Sequence, residues 1–153
     1  MRPFPFLGVV LALGACGGHD GGHDAGTSYN CAAETRDDEF VLGLTKTGEA
    51  GRLEFKLLTA DPAPPARGDN TWQLQLSTLA GPAPVSDASM SVRPFMPDHT
   101  HGSGKSVVVT PLTEPGQYEL SPVNLWMPGL WEVTIQVSGA SGDRVVFRFC
   151  LPS

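Results

Sequence analysis

Three side chains able to hold a soft metal fall within six positions of this 153-residue chain: Met96, His99 and His101, in the stretch 94–105 that reads PFMPDHTHGSGK. A thioether and two imidazoles form a soft-to-borderline donor set. Such a set suits Cu(I), and imidazoles also suit Cu(II) and Zn, so copper is the ion this segment fits best. Pro97 blocks regular ladder pairing, while Gly102 and Gly104 let the chain fold back. His99 and His101 stand two apart, so they share a face in an extended chain and are still able to converge in a turn. Met127, in the segment NLWMPGLW, is the candidate fourth ligand. Met90 is another, although it shares the parity of Val92 and reads as core. A second reading stays open. Pro, Asp, Thr, Gly and Ser are ordinary turn residues, and two solvated imidazoles with Met96 closing the core would give the same string.

The elements that must carry this segment begin with an export signal. Phe4 to Ala15 is almost wholly apolar or small, apart from Pro5, and follows a single basic residue, Arg2. It is too short to span a bilayer, which takes about 20 apolar residues, and fits a signal peptide over 1–15. The run ends in Leu13-Gly14-Ala15-Cys16, which resembles the bacterial lipobox. Cys16 is the expected lipidation site, and several acyl chains there would hold the protein at a membrane. No Asp follows Cys16, so in a double-membraned cell the expected place is the outer membrane, facing the periplasm. Residues 16–37 are expected as lipidated cysteine and tether. Within them, His19, Asp20, His23 and Asp24 form a doubled Gly-Gly-His-Asp unit. These could bind a divalent metal, but a Gly-rich coil loses much entropy in organising a site, so a plain spacer is favoured.

Cys31 and Cys150 remain once Cys16 is acylated. An even pair in an oxidising compartment points to a structural disulfide, closing a loop worth about 4–5 kcal/mol in the chain-entropy model. Neither lies in a C-x-x-C, which argues against a redox pair.

Charge narrows the partners. The chain has 10 Lys+Arg and 16 Asp+Glu; without residues 1–15, which hold only Arg2, the balance is 9 against 16, a net of −7. An acidic domain of this kind is a poor nucleic-acid binder. No Ser-centred motif, paired-carboxylate site or free cysteine nucleophile appears, so an enzyme is not expected.

From residue 38 to 153 the chain reads as one domain of strands. Apolar residues alternate at Phe40/Leu42/Leu44, Leu53/Phe55/Leu57, Trp72/Leu74/Leu76, Met90/Val92, Trp131/Val133/Ile135/Val137 and Val145/Phe147/Phe149, with further runs at 107–110 and 118–127. Period-two patterning of this persistence means half-buried strands. Turn-rich breaks separate them, and 14 Pro with 18 Gly leave little room for helix. The expectation is an all-β, immunoglobulin-like β-sandwich of seven to eight antiparallel strands, with a small closed barrel as the competing topology.

Three pieces together resemble a known family. They are Met96-Pro97-Asp98-His99-Thr100-His101-Gly102, which matches a Met-Pro-x-His-x-His-Gly loop; Gly116-Gln117-Tyr118 and Val123 to Met127 followed by Pro128-Gly129-Leu130-Trp131-Glu132-Val133; and Gly51-Arg52-Leu53 with Asn70-Thr71-Trp72 after a Pro-rich turn. Over residues 38–150 the chain resembles the YtkA-like domain of bacterial exported proteins, which is related in pattern to FixH-like proteins. The resemblance implies an immunoglobulin-like sandwich and an association with copper handling or oxidase assembly. Position 100 departs from it, being Thr where Gly is more usual, which restricts the loop. The functional expectation is an envelope-anchored lipoprotein binding or delivering copper to an accepting envelope protein. The alternative is a metal-independent module that binds another envelope protein. Replacing Cys16→Ser is expected to abolish lipidation, read as loss of partitioning into detergent; a variant that partitions like the parent would rule out the anchor.

Overall fold

The computed structural model describes residues 29–153, so Cys16 and the tether residues His19, Asp20, His23 and Asp24 lie outside the described residues. Among the described residues, nine strands form two antiparallel sheets. The first takes β1 (Leu44–Thr47), β2 (Leu53–Asp61), β3 (Gly68–Thr78), β7 (Gln117–Leu125) and β6 (Val108–Pro111), in the order β1-β2-β3-β7-β6. The second takes β5 (His101–Gly102), β4 (Met90–Met96), β8 (Gly129–Val137) and β9 (Arg144–Leu151), in the order β5-β4-β8-β9. The expected sandwich is therefore present, as two separate sheets rather than a closed barrel. Its one strand beyond the expected range is the two-residue β5, which lies inside the segment read as loop.

The alternation in sequence becomes the inner faces of the two sheets. Leu53, Phe55 and Leu57, Trp72, Leu74 and Leu76, and Tyr118 and Leu120 line one face. Trp131, Val133, Ile135, Val145 and Phe147 line the other, each almost fully buried. Side chains of this size stabilise by about 1.5–3 kcal/mol each when buried. Phe149 joins the layers, taking the edge of Trp72 at 5.5 Å between ring centroids and of Phe40 at 5.9 Å. The first strand begins later than its pattern suggested. Val41 and Leu42 are exposed, and only from Leu44 does the chain pair with β2.

One flank of the sandwich is closed by charge. Asp38 exchanges backbone and side-chain bonds with Arg148 on β9, and its carboxylate accepts from Lys46 Nζ on β1 at 2.7 and 2.8 Å. Lys46 also donates to the Val146 carbonyl. The free edges of both sheets are thus joined through one half-buried ion pair.

Asp143 ties the β1–β2 turn to the β8–β9 turn on the same flank. It is 3% exposed, and its carboxylate accepts the backbone N–H groups of Ala50, Arg52, Leu53 and Arg144 at 2.7–3.0 Å. Burial pushes this carboxyl upward, but the four N–H donors outweigh it and hold it below its ordinary value. Gly48 leaves the space: a Cβ there would overlap the carboxylate. A carboxyl depressed in the fold stabilises above its unfolded range, and that contribution fades as pH falls through the folded value. Asp143→Ala should therefore cost about 2–4 kcal/mol at neutral pH, because it orphans buried donors. The deficit should shrink in acid melts; an equal deficit at pH 7 and in strong acid would show that the charge contributes nothing.

Candidate metal centre

The His/Met segment is a hairpin. β4 ends at Met96, residues 97–100 turn, and β5 begins at His101, with Met96 and His101 as cross-strand partners. Such partners project from the same face of a sheet. Met96 shares the inward parity of Pro94 and is fully buried, so His101 opens toward the same end of the core and is half-buried. His99 sits in the turn itself, exposed, its ring centroid 5.7 Å from that of His101. Closing the turn in four residues places Thr100 at φ +55°, a left-handed conformation that suits Gly and strains a β-branched side chain.

Two tryptophans hold the His101 ring. Trp126 stacks on it at 5.2 Å and 23° between planes, and Trp131 meets it edge-on at 6.2 Å. His101 Nδ1 lies 3.2 Å from the Gly102 carbonyl. A carbonyl only accepts, so this bond requires the proton on Nδ1 and leaves the Nε2 lone pair for a metal. Trp126 is 47% exposed and forms the outer wall of the site. Its loop is fixed by Trp131 Nε1, which donates to the Met127 carbonyl at 3.0 Å. Met127 itself is partly buried against the core.

Charged clamps grip the hairpin from both sides. On one, Asp98 accepts both terminal nitrogens of Arg36 at 2.8 and 2.7 Å and the Tyr29 hydroxyl at 3.0 Å. Glu34 completes this network, accepting from Arg36 and from Tyr29. The Arg36 guanidinium holds the Glu34 carboxyl well below the carboxylate range and lowers that of Asp98. Burial, then the hydrogen bonds to Glu34 and Asp98, push the Tyr29 hydroxyl up to about 12. On the other side, Lys105 Nζ and Asn124 Nδ2 both donate to Asp69, each at 2.6 Å, and Lys105 and then Asn124 hold that carboxyl below its ordinary value. Ser103 bonds to Asn124 and to the Lys105 backbone. The clamping segment 29–36, within the expected tether, carries Cys31, which is bonded to Cys150 with 5.6 Å between Cα atoms. That spacing is ordinary for a disulfide.

Of the four expected ligands, the hairpin brings His99 and His101 together and pairs His101 with Met96, whose side chain belongs to the core. Among the described residues, no group of three or more His, Cys, Asp or Glu side chains is placed to hold a metal. Trp126, at the rim of the core, is the stacking wall of His101. Tyr29, Glu34 and Arg36 carried no motif and were not legible.

Known proteins bear on this as follows. The model of the YtkA-like family matches residues 47–136, more than half of the chain. No curated protein sequence matches it. Among solved structures, a copper-bound variant of FetP from uropathogenic Escherichia coli is similar with a TM-score of 0.45 and 10% identity, covering 71% of this chain and 94% of that one, a likeness too remote to bear on the site. The strain at Thr100 is open to test. Thr100→Gly should raise stability by about 0.5–1 kcal/mol, the relief of a left-handed side chain less the entropy that Gly loses on folding. A lower melting temperature than the parent's would show that the turn is not strained there.

Proposed function

The chain belongs to the YtkA-like family, and we propose that it is an envelope lipoprotein, anchored through Cys16, that binds copper at the 96–101 hairpin and passes it to an accepting envelope protein. The observation that carries this is the placement of His99 and His101 on one hairpin, 5.7 Å apart, with Met96 as the cross-strand partner of His101. Two imidazoles and one thioether hold Cu(I) with a position left open for transfer. His101 offers Nε2, His99 is free to turn from solvent, and Met96 and Met127 supply sulfur. The protein is not an enzyme in this reading: its residues hold and release an ion.

A second reading, a metal-independent interaction module, draws on the full burial of Met96 and on the exposed Trp126. The two readings differ in a titration. Reduced protein competing with a chelator for Cu(I) should lose most of its affinity in the double variant His99→Ala, His101→Ala. Uptake should also fall between pH 7 and pH 5, because imidazole ligates only when deprotonated. Equal affinity in parent and double variant would remove the hairpin from the site.

A further inference from the structure

Met96 is at once a proposed ligand and a core residue, and the way its side chain lies addresses that conflict. In the second sheet β4 stands between β5 and β8. His101 flanks Met96 on the β5 side. The Met96 methyl lies on the β8 side: a Cβ added to Gly129, at the start of β8, would lie 2.7 Å from Met96 Cε. The same Cβ would lie 3.4 and 3.5 Å from Cδ2 and Cε2 of Tyr29. Methyl and phenol ring therefore close on one gap that only glycine leaves, with Gly129 at φ +123°. Tyr29 arrives there on the 29–36 segment. That segment is held by the disulfide at Cys31, by Tyr29 N–H donating to Ser153 Oγ and by the Arg36–Asp98 fork. It lies outside the span matched by the family model.

We propose that residues 29–36 form a cover over the Met96 thioether, with Tyr29 as the closing side chain, so that docking of this arm and capture of Cu(I) by Met96 exclude one another. With Tyr29 docked, Met96 is parked against Gly129 and wholly out of solvent. In this proposal a fully buried thioether reaches a metal beside His101 only when its methyl end leaves that gap, and the Tyr29 ring then loses the surface it packs on. Linkage makes the effect mutual: whatever factor the arm takes from copper affinity, copper takes from arm docking. Because the arm also grips Asp98 in the turn, metal loading is transmitted to the segment that leads toward the tether. This rests on the copper reading above only for the exclusion; the cover is a property of the metal-free protein.

The test uses the full mature chain with its disulfide intact, as parent, Tyr29→Ala and Tyr29→Phe. Hydrogen peroxide is applied without metal; the thioether takes one oxygen atom and water leaves, and mass spectrometry of the Met96 peptide follows the sulfoxide. Tyr29→Ala should oxidise at Met96 on the order of tenfold faster, whereas Tyr29→Phe, which keeps the ring, should match the parent. Equal rates for parent and Tyr29→Ala would overturn the cover. In a Cu(I) competition, Tyr29→Ala should bind tighter by about fivefold or more. Equal or weaker binding would overturn the exclusion. A parent that takes up no Cu(I) at all would overturn both the copper reading and the exclusion, while the oxidation rates would still decide the cover.

Discussion

The end of the sandwich that carries the histidines is governed by one ladder pair, Met96 with His101. Antiparallel partners share a face, and Met96 has the inward parity of its strand. His101 must then open toward the core end, where the Trp126 and Trp131 rings meet it. The four residues between the partners have to reverse the chain, which leaves His99 exposed and Thr100 left-handed. Since the period of a strand is two, shifting β5 by one residue would turn His101 outward, while Met96 would keep its place because β4 is also registered on β8.

Charges keep that geometry rather than stabilise the fold. Arg36, Asp98, Lys105 and Asp69 are each at least a third exposed in their side chains. Isolated surface pairs contribute about 0–1 kcal/mol. Their importance lies in placement. The planar fork of Arg36 on Asp98 fixes both the direction and the position of the turn, as a single lysine contact would not. Ser103, Asn124 and Asp69 tie the far side of the hairpin to the opposite sheet. The disulfide joins residues 119 apart in sequence and brings the arm to the end of β9, where Tyr29 reaches the turn.

The fold was largely legible because the core is built from strict alternation. Trp72-Leu74-Leu76 and Trp131-Val133-Ile135 could be nothing but one-sided strands, and the structure buries them as read. The reading failed at Leu42, which keeps the apolar type but lies in a turn before β1, where pairing with β2 has not begun. At the site, the histidines and the hairpin were legible from residue type and turn chemistry. The disulfide was legible from cysteine count. The Trp126 stack was not, since an aromatic next to a core segment looks the same whether it covers hydrocarbon or an imidazole. Nor were Tyr29, Glu34 and Arg36. Their role depends on a contact between residues 62 apart, Arg36 and Asp98, and no local pattern records such a distance.

Methionine is the residue that allows core and donor set to overlap. An unbranched thioether has three rotatable bonds and fills an irregular gap without demanding one shape. Moving Met96 out of its place beside Gly129 forfeits part of a burial worth about 1.5–3 kcal/mol. Coupling between two sites in a protein has the same size, about 1–3 kcal/mol. On the proposal above, the parked and ligating positions of Met96 would thus be close enough in energy for a contact as small as the Tyr29 ring to bias the choice. A leucine at position 96 would pack as well and offer no lone pair. A histidine would offer the lone pair and could not be buried there without a partner for its ring nitrogens. The chain places the one apolar side chain with a donor atom where the core ends and the imidazoles begin.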